Sequence, residues 1–123
     1  WATSALGMTN LVSNTGVVGS DVSGVGTARN ALAACSYGGD KGIFVQGNGP
    51  VGISNLVSNT GVVATDTGGV GTARSRIAAT QYAGDKGIFG YGEDGSMLSV
   101  TNLVSNSFIV FSCIATLFLN SAT

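Results

Sequence analysis

The ionisable side chains of this chain are few, and their types limit the chemistry they could perform. Among 123 residues there is no histidine, the side chain that most often transfers protons near neutral pH. Four of the six carboxylates form two pairs, Asp21 with Asp66 and Asp40 with Asp85, each separated by the same 45 residues. All four lie at predicted turns, where aspartate commonly hydrogen-bonds the local backbone. We therefore expect no catalytic residues and no enzymatic activity.

Metal binding has little support in the sequence. Glu93 and Asp94 lie in a glycine-flanked turn over residues 92–96, but a calcium loop needs a longer, spaced series of oxygen ligands. Cys35 and Cys113 match no metal-ligand spacing, so we expect two buried apolar residues, with a disulfide between them as the alternative. The sequence predicts neither a metal ion nor a cofactor.

Two arginines could bind an anion. Arg29 and Arg74 end the recurring segments 24–29 and 69–74, which read Gly-Val-Gly-Thr-Ala-Arg. The glycines are superficially similar to a phosphate loop, yet they complete neither a dinucleotide fingerprint nor a lysine-bearing loop. We expect each guanidinium to hold backbone carbonyls or to pair with an aspartate such as Asp21 or Asp66, with anion binding as the alternative.

Aromatic side chains could stack on sugar rings. Tyr37 and Tyr82 occupy the same place in two copies of a repeat and are therefore interpreted as packing residues. Tyr91 and Trp1 have no such counterpart, which makes them better candidates for a ligand site. The candidate ligand-binding residues are Tyr91, Trp1, Arg29 and Arg74.

The charge and hydrophobicity of the chain limit the kinds of partner that it could bind. The net charge is −1 and the 5 basic residues are scattered, so we expect no nucleic-acid partner. The apolar segment 108–119 is shorter than the ~20 residues of a membrane-spanning helix, and we interpret it as a buried strand or strand pair, with a membrane-associating tail as the alternative. Because the chain begins at Trp1, we expect a processed product or part of a longer reading frame.

The chain is built from a repeat of about 45 residues. Such a period is typical of arrays in which each unit buries its apolar face on the next. The recurring segments are residues 10–18 and 55–63, 24–29 and 69–74, and 39–44 and 84–89, and a third copy opens at 101–106. The predicted units of this single repeat domain are a partial unit over 1–8, repeats over 9–53 and 54–100, and a divergent third repeat or cap over 101–123.

Each copy contains four short segments separated by glycine-rich turns, which predicts four strands. The segments 27–37 and 72–82 are ambiguous, because a threonine at the start and a glycine at the end also fit a short helix. Alternation favours a strand, since it places Ala33, Cys35 and Tyr37 on one face.

One copy resembles a kelch-type β-propeller blade. The resemblance consists of Arg74, the Ala78-Ala79 pair, the Gly84-Asp85 turn and the strand over 88–92, and it extends over residues 9–105. The repeat is also similar to tandem repeats in microbial and phage-like open reading frames, which carry no assigned activity. The resemblance implies an all-β fold of about two and a half four-stranded propeller-like blades, closed only by oligomerisation or forming part of a larger array.

These observations lead to an expected function. We expect a non-enzymatic structural or interaction module that self-assembles as a homo-oligomer, in an extracellular or virion-associated setting. A glycan-binding, lectin-like propeller is the alternative, motivated by the tyrosines. An enzyme on a propeller scaffold ranks third, because the chain lacks catalytic groups.

Overall fold

A computed structural model of the chain describes residues 4–68 and 71–106, together with the backbone of residues 110–113. The described part is all-β and contains no helix, which confirms the all-β part of the predicted fold class. Accordingly, no segment within these ranges forms a helix able to cross a membrane. The strands are β1 (Ala33–Tyr37), β2 (Lys41–Val45), β3 (Ser54–Val57), β4 (Ala78–Tyr82), β5 (Lys86–Gly90), β6 (Thr101–Val104) and β7 (Val110–Cys113).

The strands form two antiparallel sheets, each of which joins consecutive copies of the repeat. The first sheet has the order β1-β2-β3, and the second has the order β4-β5-β6-β7. In each sheet a hairpin from one copy pairs with the strand that opens the next copy. Isolated bridges from Ser54 to Thr67 and from Val57 to Val63 add an extended segment beside β3, in the place that β7 takes beside β6.

The residues that open the N-terminal copy form only half of such a sheet within the described ranges. Bridges from Thr9 to Val22 and from Val12 to Val18 form a hairpin that corresponds to β3 and the segment beside it. Within the described ranges no hairpin precedes it in the positions of β1 and β2. We call residues 9–22 the N-terminal half-sheet.

The ambiguous segments are strands only in their second halves. β1 and β4 begin at Ala33 and Ala78, and the residues before them, including Arg29 and Arg74, lie in loops. The turn after each strand has a glycine with positive φ, Gly39 at 80° and Gly84 at 77°, a conformation that other residues rarely adopt. The short helix considered from the sequence is therefore absent from both copies.

The core lies between the two sheets, which stack face to face. The first sheet contributes the buried side chains of Tyr37, Ile43 and Val45, and the second contributes Phe89 and Val104. At Gly87 the sheets approach so closely that a Cβ atom would lie 2.6 Å from the Sγ of Cys35. Residues 33, 35 and 37 thus share one face, as the alternation predicts, and the structure shows that this face is the buried one.

Candidate functional site

Arg29 connects its own copy of the repeat to the next one. Its Nε donates a hydrogen bond to the carbonyl of Gln46 at 2.8 Å, and Nη1 donates to the carbonyl of Thr27 at 3.1 Å. Its Nη2 donates to the amide oxygen of Asn55, which lies in β3 and opens the following copy. This geometry confirms that the guanidinium holds backbone carbonyls, and it adds an asparagine that the sequence analysis did not single out.

Asn55 links Arg29 to Asp66 through hydrogen bonds. Its amide nitrogen donates to Oδ1 of Asp66 at 2.8 Å and to the carbonyl of Ala64 at 3.1 Å. Asp66 then accepts from Thr27 of the previous copy, from the hydroxyl at 2.7 Å and from the backbone N–H at 3.0 Å. We call this set of Thr27, Arg29, Asn55 and Asp66 the repeat junction.

The electrostatics of the junction suit binding rather than proton transfer. Hydrogen bonds from Asn55 and then from Thr27 lower the pKa of Asp66, with a smaller contribution from the charge of Arg29, whose Nη1 lies 3.9 Å from Oδ1. Burial lowers the pKa of Arg29, and Asp66 opposes this shift, but a guanidinium stays protonated at neutral pH. Asp66 therefore acts at neutral pH as an ionised hydrogen-bond acceptor.

A second junction contains Arg74 and the third copy. Nη2 of Arg74 donates to Oδ1 of Asn102 at 2.8 Å, and Nη1 donates to the carbonyl of Thr72 at 3.0 Å. The guanidinium carbon lies 5.8 Å from the centre of the Phe89 ring, within range of a cation–π interaction. Burial lowers the pKa of Arg74. No aspartate occurs at positions 107–113, so the counterpart of Asp66 is missing from this junction.

The Gly-Val-Gly segments serve these junctions. Gly26 has a φ of 86°, and a Cβ atom there would lie 2.2 Å from Oδ1 of Asp66. Gly71 has a φ of 70°, and its Cβ atom would lie 2.6 Å from Nδ2 of Asn102. The glycines allow the loop backbone to reach a polar side chain of the next copy.

The N-terminal half-sheet repeats one side of the junction. Asn10 donates to Asp21 at 2.7 Å and to the carbonyl of Gly19 at 3.1 Å, matching the distances within the Asn55 group. Within the described ranges, no threonine or arginine of a preceding copy reaches either side chain. We call Asn10 and Asp21 the half-junction.

The four candidate ligand residues occupy different places. Arg29 and Arg74 lie in the two junctions. Tyr91 is 62% exposed and borders a groove of about 230 Å³ with Ala78 and Thr80 among its lining. Trp1 lies outside the described residues. Neither arginine is among the residues that line this groove.

Other candidate groups remain separate. Cys35 is a free, half-buried thiol whose pKa is raised by burial, and the side chain of Cys113 is not described. Asp94 accepts a hydrogen bond from the Ser96 backbone at 3.3 Å, as a turn aspartate does. Across the described ranges, no cluster of three or more metal-binding side chains is present.

Sequence reasoning missed the asparagines Asn10, Asn55 and Asn102, although a signal for them exists. All three copies place asparagine inside a predicted strand, where this residue is unfavourable. A polar residue that recurs against its own propensity indicates a specific hydrogen-bonding partner.

Comparison with known proteins assigns no family to this arrangement. None of the protein-family models searched matches the chain, and no curated protein sequence matches it significantly.

Proposed function

We propose that the chain is a non-enzymatic structural module of propeller-like repeats that associates with further copies of itself. The proposal rests on a comparison of equivalent faces in the two sheets. The face of the first sheet that carries Tyr37 is buried, whereas the equivalent face of the second sheet, which carries Tyr82, is exposed. Tyr37 is 3% exposed beneath the second sheet, whereas its counterpart Tyr82 is 38% exposed. The side chain at this position packs on a neighbouring sheet wherever one is present.

The rest of the open face is largely apolar. Register and alternation place seven side chains together on the side of the second sheet that faces away from the first, and we call this surface the outer face. The outer face consists of Ala78, Thr80, Tyr82, Lys86, Ile88, Thr101 and Leu103, and Lys86 forms an ion pair with Asp85. A largely apolar sheet surface of this kind is typical of an interaction site.

The internal contact indicates what covers the outer face. The corresponding residues of the first sheet, including Cys35 and Tyr37, pack against a sheet of the same repeat, with Cys35 over Gly87. A sheet from a further copy is therefore the partner whose shape fits. Such head-to-tail contacts produce a ring when the rotation closes and a filament when it does not.

The solution mass tests this proposal. We expect light scattering to give a multiple of 12.2 kDa for the unmodified chain and the monomer mass for Tyr82→Asp, because a carboxylate would be desolvated in the contact. Val62→Asp, at an exposed position away from the outer face, is the matched control and should still assemble. A monomeric unmodified chain at the highest soluble concentration would refute self-association.

Glycan binding is a second candidate, favoured by one observation. The ring of Tyr91 is largely exposed at the rim of the groove on the outer face, where a sugar ring could stack on it. A glycan array tests this function, with Tyr91→Ser as the matched variant. Binding lost in Tyr91→Ser supports it, and absence of binding by the unmodified chain rejects it.

A further inference from the structure

We propose that the half-junction of Asn10 and Asp21 is a preformed binding site for a Thr-x-Arg segment from a further repeat of this kind. This inference rests on the proposed function, because it assumes that the partner is a further copy of the repeat. The site, however, lies on the N-terminal half-sheet rather than on the outer face. Its basis is that Asn55 and Asp66, the equivalent pair in the next repeat, bind the segment from Thr27 to Arg29 within this chain.

The receptor side is already assembled before any partner arrives. Asn10 holds Asp21 at 2.7 Å, as Asn55 holds Asp66 at 2.8 Å. Each asparagine also donates to a backbone carbonyl at 3.1 Å, which fixes the direction of its amide. Binding therefore needs no rearrangement of this pair, and preorganisation reduces the cost of association.

The amide oxygen of the half-junction accepts no hydrogen bond from the described residues, unlike its two counterparts. Oδ1 of Asn55 accepts a hydrogen bond from Arg29, and Oδ1 of Asn102 accepts one from Arg74. Within the described ranges, Oδ1 of Asn10 accepts no hydrogen bond. An anionic carboxylate beside a free amide oxygen selects a cationic donor, and the planar guanidinium fits it better than an ammonium group.

The strand that contains Asn10 is paired along one edge only within the described ranges. Val12 is 63% exposed, whereas Val104, at the same place in the third copy, is fully buried. β3 and β6, the counterparts of residues 9–12, each pair with a hairpin strand of the preceding copy, β2 or β5. A partner that supplies both the Thr-x-Arg segment and this hairpin would complete the N-terminal half-sheet.

Residues 24–47 contain both of these elements, so a peptide of this sequence is the probe. It should carry a fluorophore and the substitution Cys35→Thr, which removes the thiol and introduces the residue found at position 80. The receptor is the full chain with Tyr82→Asp, and anisotropy reports binding. Self-association is measured separately from the solution mass, so absence of peptide binding overturns this inference alone.

We expect saturable binding that weakens by about tenfold or more in receptors with Asn10→Ala or Asp21→Asn, because a charged hydrogen bond is lost. Asp40→Asn, which changes an exposed turn aspartate elsewhere, is the matched control and should bind as the receptor does. A peptide with Arg29→Lys should also bind about tenfold more weakly, and it leaves the receptor's folding untouched.

Two results would overturn the inference. One is no binding of the unmodified peptide at any concentration it tolerates. The other is equal binding to the Asp21→Asn and Asp40→Asn receptors, which would place the peptide elsewhere on the chain.

Discussion

Arg74 and Asn102 are 28 residues apart and belong to consecutive copies of the repeat, yet Nη2 of the arginine donates to the asparagine oxygen at 2.8 Å. Arg74 is fully buried and Asn102 is 2% exposed. A buried cation is costly unless hydrogen bonds compensate it, and among the described residues Nη1 and Nη2 of Arg74 have acceptors whereas Nε has none. The contact with Asn102 therefore links the second copy to the third.

Replacing Asn102 with alanine should destabilise the chain by about 2–3 kcal/mol, because the buried guanidinium loses a charged hydrogen bond. Urea unfolding followed by circular dichroism measures the change. Asn59→Ala makes the same substitution at an exposed position and should cost less than about 0.5 kcal/mol. Equal losses in the two variants would show that the Arg74 contact contributes nothing.

Acid should weaken the repeat junction through Asp66. Its pKa in the folded chain lies below the ordinary value of 3.8, so the unfolded chain takes up the proton first as the pH falls. The stabilisation by this carboxylate is thus complete above about pH 5 and is lost progressively below about pH 4. Urea unfolding between pH 7 and pH 2 should follow this course.

Asp66→Asn isolates that contribution. We expect lower stability at pH 7 and a shallower decline below pH 4, since the variant has no carboxylate to protonate at the junction. Asp94→Asn removes a turn carboxylate outside the junction and should keep the steeper decline. If Asp66→Asn declines as steeply as the unmodified chain, the acid sensitivity originates elsewhere.

Gly87→Ala should push the two sheets apart. The added methyl group would meet Sγ of Cys35 at 2.6 Å and the backbone oxygen of Ser36 at 3.1 Å, so we expect a loss of about 1–3 kcal/mol. Gly42→Ala changes the same position of the first sheet, where the nearest atom would be Cβ of Val57 at 3.5 Å. Chemical denaturation should therefore separate the two variants, and similar midpoints would contradict the face-to-face stacking.

The paired tyrosines offer a comparison of the buried and open faces. Tyr37→Ala should cost about 3–5 kcal/mol, as expected for a large side chain removed from a core. Tyr82→Ala, at the same repeat position, should cost less than about 1 kcal/mol in the monomer, because its side chain is partly solvated. Guanidinium denaturation at low protein concentration measures both, and a large loss in Tyr82→Ala would reject the assignment of an open outer face.

The fold class follows from features that act over a few residues. Glycines such as Gly39 and Gly84 specify the turns, and alternation places Ala33, Cys35 and Tyr37 on one face, so strands and the residues that share a face are predictable. The residues at which strands begin and end are less predictable. Of the four strands that the sequence predicts in the second copy, the second extends over residues 61–66. In the structure this segment contains only an isolated bridge at Val63.

The junction was harder to predict, because its members lie far apart in sequence. Asp66 was expected to bond its local backbone, but it accepts hydrogen bonds from Thr27, 39 residues earlier. The residue types predict an aspartate such as Asp21 or Asp66 beside each arginine, and the structure places Asp66 beside Arg29. They do not predict Asn55 between the two. Only the stacking order of the copies brings these side chains together.

A junction shared by two copies also constrains how the copies can change. Gly26 must remain without a side chain because of Asp66, a residue of the next copy, rather than because of its own neighbours in sequence. A substitution at a junction in one repeat is therefore tolerated only when the contacting residue of the adjoining repeat is compatible with it. We expect the sequences of adjacent repeats to change in a correlated way at these positions. The third copy, which has no aspartate after Asn102, is released from half of this constraint, and there the sequence departs from the repeat.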